Sequence, residues 1–264
     1  MRRLVVMATA LAVLVGAVSA YAATSGLNTY TATLKFSPNA AGSSKAPSAI
    51  GFTEKYTASG TNGNRTAPLT DIKTTIYGAV SSWKSFPTCS ESKIAAAHSD
   101  TVCPKGAKIA SGGITAILGP ESDTSSSAPG TAPCDPVLDA WNGGGGKVVF
   151  FFVDPTPTTC AGLTTGAVPP YVGSAKTVGK NLVLDTPIPA YVSFPLTGVE
   201  GSLTSLTLHY VKLTTKVKGK TVAYSASTSC KGGKRPYSVT FTAESAPGAA
   251  TQSGTVTGTQ KCTK

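Results

Sequence analysis

The chain has 264 residues, 41% of them hydrophobic and 13% charged, with a formal net charge of +11. That apolar share supports a packed core and excludes a globally disordered chain, while 28 Gly and 18 Pro argue for short strands and many turns over long helices. Six cysteines, two histidines and no C-x-x-C pair favour disulfides over a zinc site.

Arg2 and Arg3 followed by the apolar run Leu4 to Val18 read as a signal peptide, with small-x-small cleavage sites after Ala20 or Ala22. The run is 15 residues, short of the ~20 that span a bilayer core. Residues 1–22 are therefore expected to be removed, leaving a chain without a transmembrane span. Residues 23–264 suit a single β domain.

Asn28 to Phe36 alternates polar and apolar residues, as a strand with one buried face does. Ile50 to Ala58 and Leu69 to Ile76 read as further strands. Residues 84–106 are irregular, except that Ser90 to His98 is the best helix, capped by Ser90. Lys108 to Leu118 reads as a strand with a bulge or kink at Gly112-Gly113. Residues 119–136 are low in complexity and read as a surface loop. Asn142 and the glycines after it read as a turn before Lys147 to Val153, whose continuous apolar run predicts a strand buried on both faces. Asn181 to Asp185 and Ala190 to Leu196 read as short strands. Leu203 to Val217 and Lys220 to Thr228 form a hairpin, with a bulge near Tyr210 to reconcile a change of phase. Tyr237 to Ala243 and Thr251 to Thr259 form a second hairpin. Many short strands between turn signals predict an all-β, sandwich-like fold.

The six cysteines are Cys89, Cys103, Cys134, Cys160, Cys230 and Cys262. Fifteen connectivities are formally open, and sequential pairing is the simplest: Cys89–Cys103, Cys134–Cys160 and Cys230–Cys262. The last pair would clamp the base of the C-terminal hairpin.

Four stretches carry a resemblance. Arg65-Thr66-Ala67-Pro68-Leu69, Phe86-Pro87-Thr88-Cys89-Ser90 and Cys103-Pro104-Lys105-Gly106, with the ending Pro236-Tyr237-Ser238-Val239-Thr240-Phe241 before a last Cys, resemble a set of uncharacterised secreted proteins of actinobacteria. The resemblance covers most of residues 27–262. It implies bacterial export, a β fold and bridged cysteines, and it carries over no functional residue.

No local catalytic motif survives inspection. There is no G-x-S-x-G nucleophile elbow. Ser81-Ser82-Trp83-Lys84 and Ser90-Glu91-Ser92-Lys93 match S-x-x-K without its partner motifs. Gly143 to Gly146 with Lys147 precede a strand, where a phosphate loop would open a helix. His98 reads as a loop residue and His209 as one packed on a sheet face. The loop pairs Glu121 with Asp123, and Asp135 with Asp139, are the only carboxylates close enough in sequence to suggest weak calcium binding. No cofactor is expected.

Charge is distributed unevenly. From residue 23 to Glu200, 12 Lys and Arg face 11 acids; from Gly201 onward there are 9 against Glu244 alone. Lys212, Lys216, Lys218 and Lys220 crowd one hairpin, and Lys231, Lys234 and Arg235 a nearby turn. Such a patch suits an anionic wall polymer or a membrane surface. The few aromatics nearby, Tyr210, Tyr224 and Tyr237, do not suit specific nucleic-acid recognition. The expected protein is thus secreted and non-catalytic, extracellular or held non-covalently at the cell envelope. Two alternatives stay open: an extracellular hydrolase whose site is assembled across the fold, and a carbohydrate-binding module using Trp83, Trp141 and Tyr171.

Overall fold

A computed structural model describes residues 19–20, 22–154, 160 and 168–263. The expected signal peptide lies almost wholly outside the described residues. In chain order the elements are β1 (Ser19–Ala20), β2 (Ala23–Thr24), β3 (Asn28–Ser37), β4 (Ser48–Ala49), β5 (Gly51–Gly60), β6 (Leu69–Tyr77), β7 (Ala79–Ser81), α1 (Glu91–Ala97), β8 (Lys108–Pro120) and β9 (Ala132–Cys134). There follow β10 (Val137–Gly144), β11 (Lys147–Val153), β12 (Tyr171–Val178), β13 (Asn181–Pro187), α2 (Ala190–Ser193), β14 (Val199–Tyr210), β15 (Thr214–Val217), β16 (Lys220–Ala223), β17 (Ser225–Ser227), β18 (Lys234–Ala243) and β19 (Gln252–Lys261).

The fold is all-β and antiparallel. Fourteen strands form one sheet in the order β1-β19-β18-β6-β13-β12-β11-β10-β8-β14-β5-β3-β2, with β9 on β8. The sheet curls until its two edges meet, giving a near-closed, barrel-like sandwich. At the seam the Phe36 amide donates to Gln260 Oε1 at 2.6 Å, and the amides of Thr263 and Ala41 bond to Asn39 and Thr263 carbonyls at 2.8 and 3.0 Å. Closure satisfies edges that would otherwise template aggregation.

Alternation explains which side chains turn inward. In β3, Tyr30, Ala32, Leu34 and Phe36 are buried while Thr31 and Lys35 are exposed. In β18, Tyr237, Val239, Phe241 and Ala243 repeat the pattern. Tyr30 stacks on Phe241 at 4.6 Å and Tyr56 meets that ring edge-on at 5.3 Å, so aromatic side chains fill the interior beside the seam.

The β11 run is buried on both faces because it separates two cores. Val148, Phe150 and Phe152 enter the main core. Val149 and Phe151 pack on the outer side with Trp141, Cys89, Ala107 and Ile94 of α1. The Ser90 hydroxyl caps α1 by accepting from the Lys93 amide at 3.3 Å, and His98 ends it at φ 47°. The disulfides follow the sequential order: Cys89–Cys103 straps α1, Cys134–Cys160 joins β9 to Cys160, and Cys230–Cys262 clamps the C-terminal hairpin.

Several local expectations change. Ala190 to Leu196 is not a strand: α2 and a turn occupy it, because Pro187, Pro189 and Pro195 remove the amides a ladder needs. The first hairpin arm is not one bulged strand. β14 ends at Tyr210, the Leu213 amide closes a tight turn on the Val211 carbonyl at 2.8 Å, and β15 pairs only with β16. Gly112 and Gly113 keep regular register with both β14 and β10; a Cβ on Gly112 would lie 1.8 Å from the Thr207 carbonyl oxygen, so close strand approach is what requires glycine there. The 119–136 segment is anchored. Buried Arg65 donates to the carbonyls of Pro120, Asp123 and Ser125 at 2.8–2.9 Å and pairs with Glu200 at 2.9 Å.

Candidate functional site

Part of the interior away from the seam is not filled. Side chains from β5, β6, β8, β10, β11, β12, β13 and β14 enclose a cavity of about 160 Å³. Its walls are Leu, Ile, Val and Phe, among them Ile72, Ile114, Leu138, Phe152, Leu184 and Leu206. Exposure decides its orientation. Ile114, Val168, Ile188, Val192 and Leu203 are half-buried and form a rim at one end, beside α2. Glu54, Tyr56, Thr74, Leu208 and Tyr210 are buried at the deep end. A single-ring hydrocarbon fits a dry apolar cavity of about 150 Å³, so this space has room for a molecule of about that size.

Among the described residues Glu54 is the one charged side chain on the lining. It reaches the interior because β5 places Phe52, Glu54 and Tyr56 on its inward phase while Lys55 and Thr57 face solvent. It is 4% exposed, and its Oε1 atom has no hydrogen-bond partner. Tyr56 crosses the interior to meet Thr74 of β6, hydroxyl to hydroxyl at 2.8 Å. Burial pushes the Glu54 carboxyl up to about 7, with the Tyr56 and Thr74 hydroxyls acting the other way. Burial also pushes the Tyr56 and Tyr210 hydroxyls well above their ordinary value, and the Glu54 charge adds to it. The deep end thus combines a carboxyl poised near neutrality with neutral phenols.

The basic residues separate into two kinds. Lys212, Lys216, Lys218, Lys220, Lys231 and Lys234 are exposed, and none makes an ion pair among the described residues. Three of them, Lys216, Lys218 and Lys220, lie on the free β15–β16 hairpin, which leaves the deep end of β14 and so sits away from the rim. Arg235, read above as part of the basic turn, is fully buried. Its guanidinium donates to Asn39 Oδ1 at 2.9 Å and to the carbonyls of Tyr77, Gly78, Ser229 and Ala40 at 2.9–3.3 Å, also reaching the Ser227 hydroxyl. Burial pushes it down to about 10. It is a hub that satisfies turn carbonyls and does not contribute to a surface patch.

The remaining candidates do not converge. His98 is exposed at the end of α1, and His209 faces solvent on β14 with Nδ1 2.9 Å from the Thr53 hydroxyl. Asp139 is buried on the outer face of β10, bonded to Lys108 Nζ and Ser111 Oγ, and Asp135 is exposed. The Asp123 carboxylate accepts from the Ser125 amide. Among the described residues no group of three or more His, Cys, Asp or Glu could hold a metal ion. Trp141 and Tyr171 are buried and Trp83 is packed against the core, so they form no exposed stacking platform. No described helix is long and apolar enough to cross a membrane. Comparison with protein-family models, curated proteins and solved structures found no match.

Proposed function

We propose that this is an exported, non-catalytic binding protein that takes a small apolar molecule into the cavity inside its barrel. The observation that carries the reading is the cavity itself: about 160 Å³ of space walled mainly by aliphatic and aromatic side chains, with half-buried apolar residues at one end. A folded core is ordinarily packed to crystal density, and empty apolar space costs stability. An apolar occupant restores those contacts. Ligand pockets share this make-up of apolar walls with few polar groups. The N-terminal apolar run, the three disulfides and the resemblance to secreted actinobacterial proteins support export.

The test is calorimetric titration with toluene, run on the native chain and on Ala116→Phe, which puts a ring on the cavity lining two residues along β8 from Ile114. The native chain should bind and the filled variant should not. Equal binding by both, or by neither, contradicts the reading.

A second reading rests on the free β15–β16 hairpin, whose exposed Lys216, Lys218 and Lys220 flank exposed Val217. It would hold the protein on an anionic wall polymer or lipid surface. Reversing these three lysines to Glu should abolish salt-sensitive retention on isolated cell walls, and unchanged retention rejects it. Because the hairpin and the rim lie at opposite ends, that variant should still bind toluene.

A further inference from the structure

We infer that the cavity selects an apolar molecule bearing one hydrogen-bond-donating head, an alcohol or an amine, which enters head first and donates to the Glu54 carboxyl. The inference rests on the cavity being a binding site and goes further in naming the ligand's chemistry.

Three observations carry it. The first is an unmet acceptor. Glu54 is 4% exposed, lines the cavity and has Oε1 without a partner. A buried polar atom in that condition costs free energy that a ligand donor recovers. The second is that two neighbouring hydroxyls, Tyr56 and Thr74, bond to each other at 2.8 Å and also support the charged form of the carboxyl. The Glu54 carboxyl is the one charged group that the described lining offers to a head group. The third is the sign of the lining. Among the described residues no Lys, Arg or His contributes to it. A carboxylate or phosphate head would meet a carboxyl with no compensating cation, which is the repulsive element that specificity requires. Between Glu54 and the rim the walls are mostly apolar, with Leu, Ile, Val and Phe beside Tyr171 and Thr186, and Ser193 Oγ is bonded to the Leu69 carbonyl at 2.7 Å. One polar end and one apolar body match that gradient.

The test is calorimetric titration of the full chain and of Glu54→Gln with four molecules of one size: toluene, benzyl alcohol, benzylamine and benzoate. The native chain should bind benzyl alcohol and benzylamine at least about tenfold more tightly than benzoate. Glu54→Gln should weaken benzylamine at least about tenfold, because a charge-assisted bond is lost. Toluene should change less than about threefold, since it makes no polar contact. If benzoate binds as tightly as benzylamine, or Glu54→Gln leaves the ratio of benzylamine to toluene unchanged, the head-group inference is overturned while toluene binding keeps the cavity reading intact. If toluene and the other three all fail to bind, the cavity reading falls and this inference with it.

Discussion

Replacing Glu54 with Gln should change how stability depends on pH, in a fixed direction. The carboxyl is 4% exposed, and burial raises it from 4.5 to about 7. The folded protein therefore holds this proton more tightly than the unfolded chain does, and protonated Glu54 gives its full contribution below pH 4.5. As pH rises from 4.5 toward 7 the unfolded chain releases its proton first, so stability falls; above about 7 the loss is complete and the curve flattens. Across that window the loss amounts to on the order of 3 kcal/mol. Burial raises Asp71, Asp100 and Glu200 as well, so the slope of the native chain alone is not diagnostic. Subtracting it from that of Glu54→Gln isolates one group. Urea unfolding of both proteins at stepped pH is the assay. The variant should gain on the native chain by on the order of 3 kcal/mol between the acidic and neutral ends. A difference that stays flat across the window would refute the buried-carboxyl argument.

Two further substitutions probe the frame around the cavity. Arg235→Met should destabilise by roughly 3–5 kcal/mol, because it strands several buried carbonyls that the guanidinium now satisfies; a urea midpoint close to that of the native chain would contradict its role as a hub. Gly112→Ala should cost about 1–3 kcal/mol by driving a methyl into the β14 backbone. Its neighbour Gly113, where a Cβ meets nothing within 4 Å, serves as the control, and equal costs at both positions would rule out close approach as the reason.

Much of the frame is legible in the sequence where a single physical rule dominates. Strict alternation in β3, β5 and β18 marks strands with one buried face. The cysteine order gives the bridges because each pair closes a local segment. Legibility fails where two signals compete. β10 ends in Asn142-Gly143-Gly144, residues that ordinarily signal a turn, and only its place between β8 and β11 makes the whole of Val137–Gly144 a strand. β12 is short of bulky residues and is defined by pairing with β11 and β13. Arg235 reads as basic surface beside Lys231 and Lys234, yet alternation in β18 places it on the inward phase with Tyr237 and Val239. Glu54 carries the same signal: a lone acid between Phe52 and Tyr56 on an alternating strand. A charged residue on the apolar phase is what reveals both the hub and the deep end of the cavity. The cavity itself has no local signature, since eight strands from across the chain enclose it.

The central claim is that apolar space inside the barrel receives a ligand, and an amide-resolved NMR titration with toluene tests it most directly. Shifts should saturate and concentrate on cavity-lining positions such as Tyr56, Ile114, Leu184, Leu203 and Leu208, leaving the β15–β16 hairpin unmoved. Shifts that never saturate, or that gather on exposed apolar residues such as Val178 and Val211, would contradict it.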